Sequence, residues 1–182
     1  MKIAIIDVET SGLDPRENEI LDLACVMDGR EFHVKVKPTR MQYASERAIE
    51  INGYTPEAWE DAISLDAALI LLNDFVGTSA VFMAYNVAFD WGFIYEAYRT
   101  CGLTNPFTYQ KLCLMSVAWA QNPEKTPPTL KSLCDRLGIP PEPPVHQAIN
   151  GARCAYQVAT VLHLLDGTVR GQVANTTKPI SS

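Results

Sequence analysis

The first 36 residues constrain the fold most. They read as three strands in succession. Lys2–Val8 is a short apolar run ending in two carboxylates, and Glu19–Met27 is a second run of strand length. Asp28-Gly29 then forms a tight hairpin signal, because both central residues of such a turn take positive φ. After it Phe32, Val34 and Val36 alternate with His33, Lys35 and Lys37, the mark of a half-exposed strand. The chain therefore starts as an antiparallel meander, with its first strand at or beside the sheet centre.

The middle of the chain alternates helix and strand. Ser64 is placed to cap a helix carrying Leu65, Leu69, Leu72 and Val76, which ends near Gly77. Ala80–Tyr85 has the length of a buried strand, and Asn86 is a candidate N-cap for a helix with Phe89, Phe93, Ile94 and Tyr98. Two proline clusters, Pro123/Pro127/Pro128 and Pro140/Pro141/Pro143/Pro144, read as loops. Between them Thr129 caps a short helix over 130–137, closed by Gly138. A last helix is expected from about Gln147 to Asp166, with Gly167 as its stop. The expected architecture is α/β: one domain over 1–167 with a mixed sheet of about five strands flanked by helices, then a polar tail over 168–182.

The 182 residues suffice to bury a core without disulfide or metal staples. Five cysteines, an odd number without CxxC spacing, read as reduced thiols in a cytoplasmic protein. No apolar run approaches the length of a membrane span. The net charge of −6 argues against a protein that coats duplex DNA through a basic surface. It does not exclude a nucleic-acid enzyme whose carboxylates hold divalent cations, since two such ions offset most of it.

Asp7-Val8-Glu9 is the first chemical signal. Strand alternation puts both carboxylates on one face, roughly 6–7 Å apart. Without a counter-cation each resists ionisation, and a hard divalent ion is the simplest compensation. Alone, the pair reads as solvated acids at a strand end. Asp90 in the first turn of a helix and His146 in a proline-rich loop are each ordinary when taken singly.

In this order and context they are not ordinary. Asp7-Val8-Glu9-Thr10-Ser11-Gly12-Leu13, then Asn86-Val87-Ala88-Phe89-Asp90, then His146 opening a C-terminal helix resemble the three motifs of the DEDDh 3′–5′ exonucleases. That DnaQ-like family has a ribonuclease-H-like fold and includes the proofreading subunit of the bacterial replicative polymerase, oligoribonuclease and ribonuclease T. The resemblance covers about residues 2–166 and extends to two linking segments, 48–55 and 129–134.

The resemblance implies two-metal hydrolysis of single-stranded DNA or RNA 3′ ends to nucleoside 5′-monophosphates, with Mg²⁺ or Mn²⁺. It implies that Asp7 bridges two ions, that Glu9 and Asp90 each serve one, and that His146 is the general base. It places Thr10, Gly12 and Leu13 along the terminal nucleotide, with Asn86 and Phe89 beside it. It further implies a polymerase or other replication partner, and no membrane.

One position departs from the pattern. The family's third motif is His, four residues, then Asp, and here the fifth position after His146 is Gly151. Asn150 lies about 100° around the helix and is uncharged. Asp135 and Glu142 precede the motif, with no spacing that points them at the site. The expectation is therefore an impaired exonuclease. Its rival is a catalytically inactive module of the same fold that holds a 3′ end or a protein partner. Lys and Arg are absent from 48 to 98, where eight acids fall, and the basic residues Lys35, Lys37, Arg40, Lys125, Lys131 and Arg136 are too few to track a long duplex. A short single-stranded end fits better.

Overall fold

The computed structural model describes residues 1–121, 123, 126–140 and 142–165. Three strands open it: β1 (Ile3–Thr10), β2 (Ile20–Met27) and β3 (Arg30–Lys35). Asp28 and Gly29 join the last two with φ of 52° and 73°, the paired positive values the hairpin demands. Then come α1 (Glu46–Asn52), α2 (Leu65–Val76), β4 (Ala80–Ala84), α3 (Val87–Cys101), β5 (Phe107–Cys113), α4 (Leu114–Gln121), α5 (Leu130–Leu137) and α6 (Ala148–Val161). The sheet order is β3-β2-β1-β4-β5. β1, β2 and β3 pair antiparallel, whereas β4 is parallel to both β1 and β5. This is the expected mixed five-stranded sheet, with β1 at its centre.

Strand alternation on β1 divides the core. Ala4, Ile6 and Val8 face α2 and α3, joining Leu69, Leu72, Phe82, Phe93 and Ile94. Ile3 and Ile5 face the other way, joining Leu114, Leu133 and Val158 of α4, α5 and α6. Asp7 and Glu9 continue this second row, so the same alternation that fills the core aims both carboxylates toward α6. α6 packs across β1 and β2. Its buried face includes Ala148, Gly151, Ala152, Ala155 and Ala159, small residues that let a helix lie close on a sheet, beside Ile149, Cys154 and Val158.

Several expectations need correction. β5 and α4 are elements that the sequence pattern does not announce, and α1 occupies most of 48–55, expected as a link. β5 is a sheet edge with a half-exposed, mixed composition, so it lacks the apolar run that marks a buried strand. The last helix ends at Val161, where Leu162 leaves helical geometry and His163 takes φ of 56°. Asp166 and the tail over 168–182 lie outside the described residues, as does Lys125. Ser64 and Asn86 occupy the cap positions without a side-chain cap bond. Thr129 does cap, accepting from the Ser132 amide. All five cysteines are free, and Cys25, Cys134 and Cys154 are buried. No helix among the described residues is long and apolar enough to cross a membrane.

Asp22 holds the start of α6 in place. It is 1% exposed, in the middle of an apolar strand. One oxygen lies 2.7 Å from His33 Nε2, and the other accepts the Ala148 amide at 3.1 Å. Asp22→Ala would leave a buried amide without its acceptor and a helix start without its anion. The expected loss is about 2 kcal/mol, roughly 4–8 °C in melting temperature, with Asp22→Asn milder because its amide oxygen still accepts. Thermal denaturation followed by circular dichroism measures it.

Candidate active site

Three elements converge where β1 ends. β1 brings Asp7 and Glu9, the first turn of α3 brings Asp90, and the loop before α6 brings His146. Asp90 is 4% exposed and fixed in place, since its Oδ1 accepts the Val8 amide at 3.2 Å across 82 residues of sequence. The motif residues Asp7, Glu9, Asp90 and His146 line one cavity of about 510 Å³, together with Asn86 and Phe89. His146 Nδ1 stands 3.7 Å from Glu9 Oε1, and its side chain is about half exposed. The His146 amide donates to the Ile51 carbonyl, which ties this loop to α1.

Thr10, Gly12 and Leu13 are placed differently. None of them lines that cavity. Thr10 is buried and its hydroxyl donates to the Gly12 carbonyl. A Cβ on Gly12 would overlap the Asn18 amide, so close packing in the β1–β2 turn accounts for this glycine. Leu13 is 84% exposed, an apolar side chain beside the site with nothing packed on it.

The electrostatics of the cluster are adverse. Burial pushes Glu9 from 4.5 up to about 8, with Asp22, Glu142 and Asp90 adding repulsion. Burial raises Asp90 to about 7 against the stabilising Val8 amide. Asp7 is held well above the usual carboxylate range, by burial first and then by Asp90, Glu9 and Glu142. None of the three has a lysine or arginine ion-pair partner among the described residues. Oxygen donors without a protein counter-charge are the donor set of a hard divalent cation. As they stand, no three His, Cys, Asp or Glu side chains among the described residues are drawn together closely enough to enclose an ion. The set fits the metal in chemistry and location, and the carboxyls have to gather around it.

Gly151 shows where the slack lies. A Cβ built there would meet Asp7 Oδ2 at 2.5 Å and Cγ at 2.7 Å. The Asp7 carboxyl therefore fills the volume that any side chain at 151 would take. The position expected to carry the fourth carboxylate faces Asp7 directly, on the sheet-facing stripe of α6.

Glu142 reaches the site although its spacing in the sequence does not point there. It lines the same cavity, half-buried, with Oε2 3.9 Å from His146 Nδ1. Its charge reaches Asp7 and Glu9. A carboxylate in a proline-stiffened loop four residues before the motif histidine is the available signal. Asp135, by contrast, pairs with Lys131 along α5. Asp22 has a clearer signal, a charge interrupting an apolar strand.

The carboxylate pKa values set a pH dependence for the metal-free protein. Glu9 and Asp90 bind protons more tightly folded than unfolded, so stability is full below about pH 4 and is lost as pH rises through about 7 to 8. The metal-free melting temperature is expected to fall between pH 5 and pH 8. One pKa unit is about 1.4 kcal/mol, and each kcal/mol is worth roughly 2–4 °C in a domain of this size. Saturating Mn²⁺ at pH 8 should reverse the fall, because the cation replaces the missing protons. Differential scanning calorimetry at the two pH values, with and without Mn²⁺, checks both signs.

Comparison with known proteins agrees with this geometry. An RNase T-type family model described as exonuclease matches residues 4–159. A PolC-type DNA polymerase III of Thermotoga petrophila is 31% identical over 163 residues, covering 85% of this chain and 11% of the polymerase. The Staphylococcus aureus PolC-type enzyme is 29% identical over 138 residues, covering 74% and 10%. The chain thus spans about a tenth of the polymerases it matches. E. coli exonuclease I in complex with a dA16 oligonucleotide superposes with a TM-score of 0.74 at 18% identity, over 90% of this chain and 41% of that one. The zinc-bound exonuclease I–ssDNA complex gives 0.74 at 18%, over 90% and 40%. At that identity the likeness shows the shared fold. Since the family match runs from β1, with Asp7 and Glu9, through α6, with Gly151, the chain belongs to the DnaQ-like exonuclease family.

Proposed function

We propose that the chain is a 3′–5′ exonuclease domain that hydrolyses single-stranded nucleic-acid ends to nucleoside 5′-monophosphates, at a rate held down by Gly151. The observation that carries this is the convergence of Asp7, Glu9, Asp90 and His146 on one cavity in a chain of this family. Divalent cations, Mg²⁺ or Mn²⁺, supply charge neutralisation and an activated water when bound between Asp7, Glu9 and Asp90. Mn²⁺ is held better than Mg²⁺ because it tolerates poorer geometry.

The protein groups do the rest. His146 sits at the cavity rim, where its imidazole can accept a proton from a water held near Glu9. Asn86 and Phe89 form the adjacent wall, an amide for a sugar or phosphate oxygen and a ring for a terminal base. Thr10, Gly12 and Leu13 belong to the same reading as the approach beside it. Leu13 is the exposed apolar side chain that can lie against the terminal nucleotide. Among the described residues, Lys35 bonds the Ala58 carbonyl, Arg40 pairs with Glu19 and Lys131 with Asp135, so these three are already engaged and do not line up as a phosphate track. That favours a short single-stranded end over a duplex. The PolC-type relatives support a replication context, with a polymerase as the partner and a cytoplasmic location. The exonuclease domain is taken as 1–167, with 168–182 as a tail.

Gly151 also favours a second reading, an inactive module that binds 3′ ends or a protein partner without cutting. A degradation assay separates the two. With 5′-labelled single-stranded DNA and RNA and Mn²⁺, slow one-nucleotide shortening from the 3′ end is expected. If neither this chain nor Gly151→Asp shortens either substrate, the binding module is the correct reading.

A further inference from the structure

We infer that Glu142 supplies the fourth metal-binding carboxylate of this site, from the loop before α6 in place of the helix position occupied by Gly151. The inference rests on the exonuclease reading and assigns a residue that the family pattern does not contain.

The geometry brings Glu142 to the cavity from the loop before α6. A single atom, His146 Nδ1, lies 3.7 Å from Glu9 Oε1 and 3.9 Å from Glu142 Oε2. Glu142 and the Glu9 carboxylate on the strand therefore approach the same imidazole nitrogen. Both lie on the cavity that holds Asp7 and Asp90. Glu142 has no lysine or arginine partner among the described residues. A half-buried acid with only a histidine beside it is costly to keep unless a cation shares the space.

The position is also suited to the task. Pro143 and Pro144 come directly after it and line the same cavity, so the backbone beyond Glu142 has few conformations to lose on closing over an ion. Glutamate is one methylene longer than aspartate, which helps a loop residue reach ions that a helix residue would meet directly. Gly151 leaves the Asp7 carboxyl free to occupy the helix side.

Titration calorimetry with Mn²⁺ alone tests this without reference to turnover. Glu142→Gln keeps the shape and removes the charge, and Mn²⁺ affinity should fall about tenfold or more. Glu142→Asp should lie between the two. Asp74→Asn, an exposed acid on α2, should leave affinity unchanged. Adding Gly151→Asp to Glu142→Gln should recover the lost affinity. The inference is overturned if Glu142→Gln binds Mn²⁺ within twofold of the parent while Asp7→Asn abolishes binding. That result leaves the exonuclease reading standing and makes Glu142 a partner of His146. If the parent binds no Mn²⁺, or if Asp7→Asn binds it unchanged, both the inference and the exonuclease reading fail.

Discussion

Aspartate in place of Gly151 is expected to raise 3′-end hydrolysis by about 10–100-fold, the range that loss of a supporting ligand typically costs. The structure attaches a condition to this gain. The new Cβ would stand 2.5 Å from Asp7 Oδ2, so the Asp7 carboxyl has to turn out of the volume it now fills. It is the end of a short side chain, and a change at χ1 is enough. Without metal the substitution adds one more negative charge to a cluster in which burial already raises Asp7, Glu9, Asp90 and Glu142. With metal the same charge becomes a ligand. Gly151→Asp should therefore melt lower than the parent without metal and show the larger stabilisation on adding Mn²⁺. Gly151→Ala isolates the steric part. It displaces Asp7 equally and improves helix propensity by about 1 kcal/mol, yet it adds no ligand and should not raise the rate. Single-turnover degradation of 5′-labelled single-stranded DNA compares the three chains. Equal rates for the aspartate and alanine variants would sink the idea that a carboxylate on α6 at 151 holds the cation better than the one Glu142 brings from its loop.

The same geometry explains which parts of the molecule are legible in the sequence. The meander is legible because each of its strands carries a strong local signature, and the Asp28-Gly29 turn leaves little choice of register. Asp7 and Glu9 are legible as a pair for the same reason, since period-two alternation is a property of the strand alone. Asp90 is marked by its place in a helix's first turn after a buried strand. β5 is not legible, because an edge strand with a half-exposed face is defined by its partner β4 rather than by its own composition. Glu142 is not legible because a loop's direction depends on what anchors it. Here the Ile51 carbonyl accepts the His146 amide, and Asp22 accepts the Ala148 amide, 126 residues away in sequence. Gly151 is visible as a departure, but its reason is not. Only the packing of α6 on β1 shows that Asp7 occupies the absent side chain's volume.

Removing Asp7 is expected to move stability and activity in opposite directions. In the Gly151→Asp background, Asp7→Ala should return the rate to background. On the proposed reading Asp7 would help hold the cations, and the charge stabilisation they would supply is worth several kcal/mol, or several hundredfold and more. In the parent background the same change should raise the metal-free melting temperature at pH 8. Asp7 is kept well above its ordinary range by burial first and then by Asp90, Glu9, Glu142 and Asp22, so deleting it relieves the desolvation and all four repulsions at once. The relief is expected to exceed about 1 kcal/mol, roughly 2–4 °C, even after the small gap left against Gly151 is counted. It should shrink at pH 5, where protonation already lifts much of the strain, and change sign in saturating Mn²⁺, where the lost ligand weakens the cation's contribution. A purely structural aspartate would show the reverse at every pH, destabilising the protein when removed whether or not metal is present. Melting curves at pH 5 and pH 8 with and without Mn²⁺ therefore decide, without any activity measurement, whether Asp7 is kept for folding or for the cation.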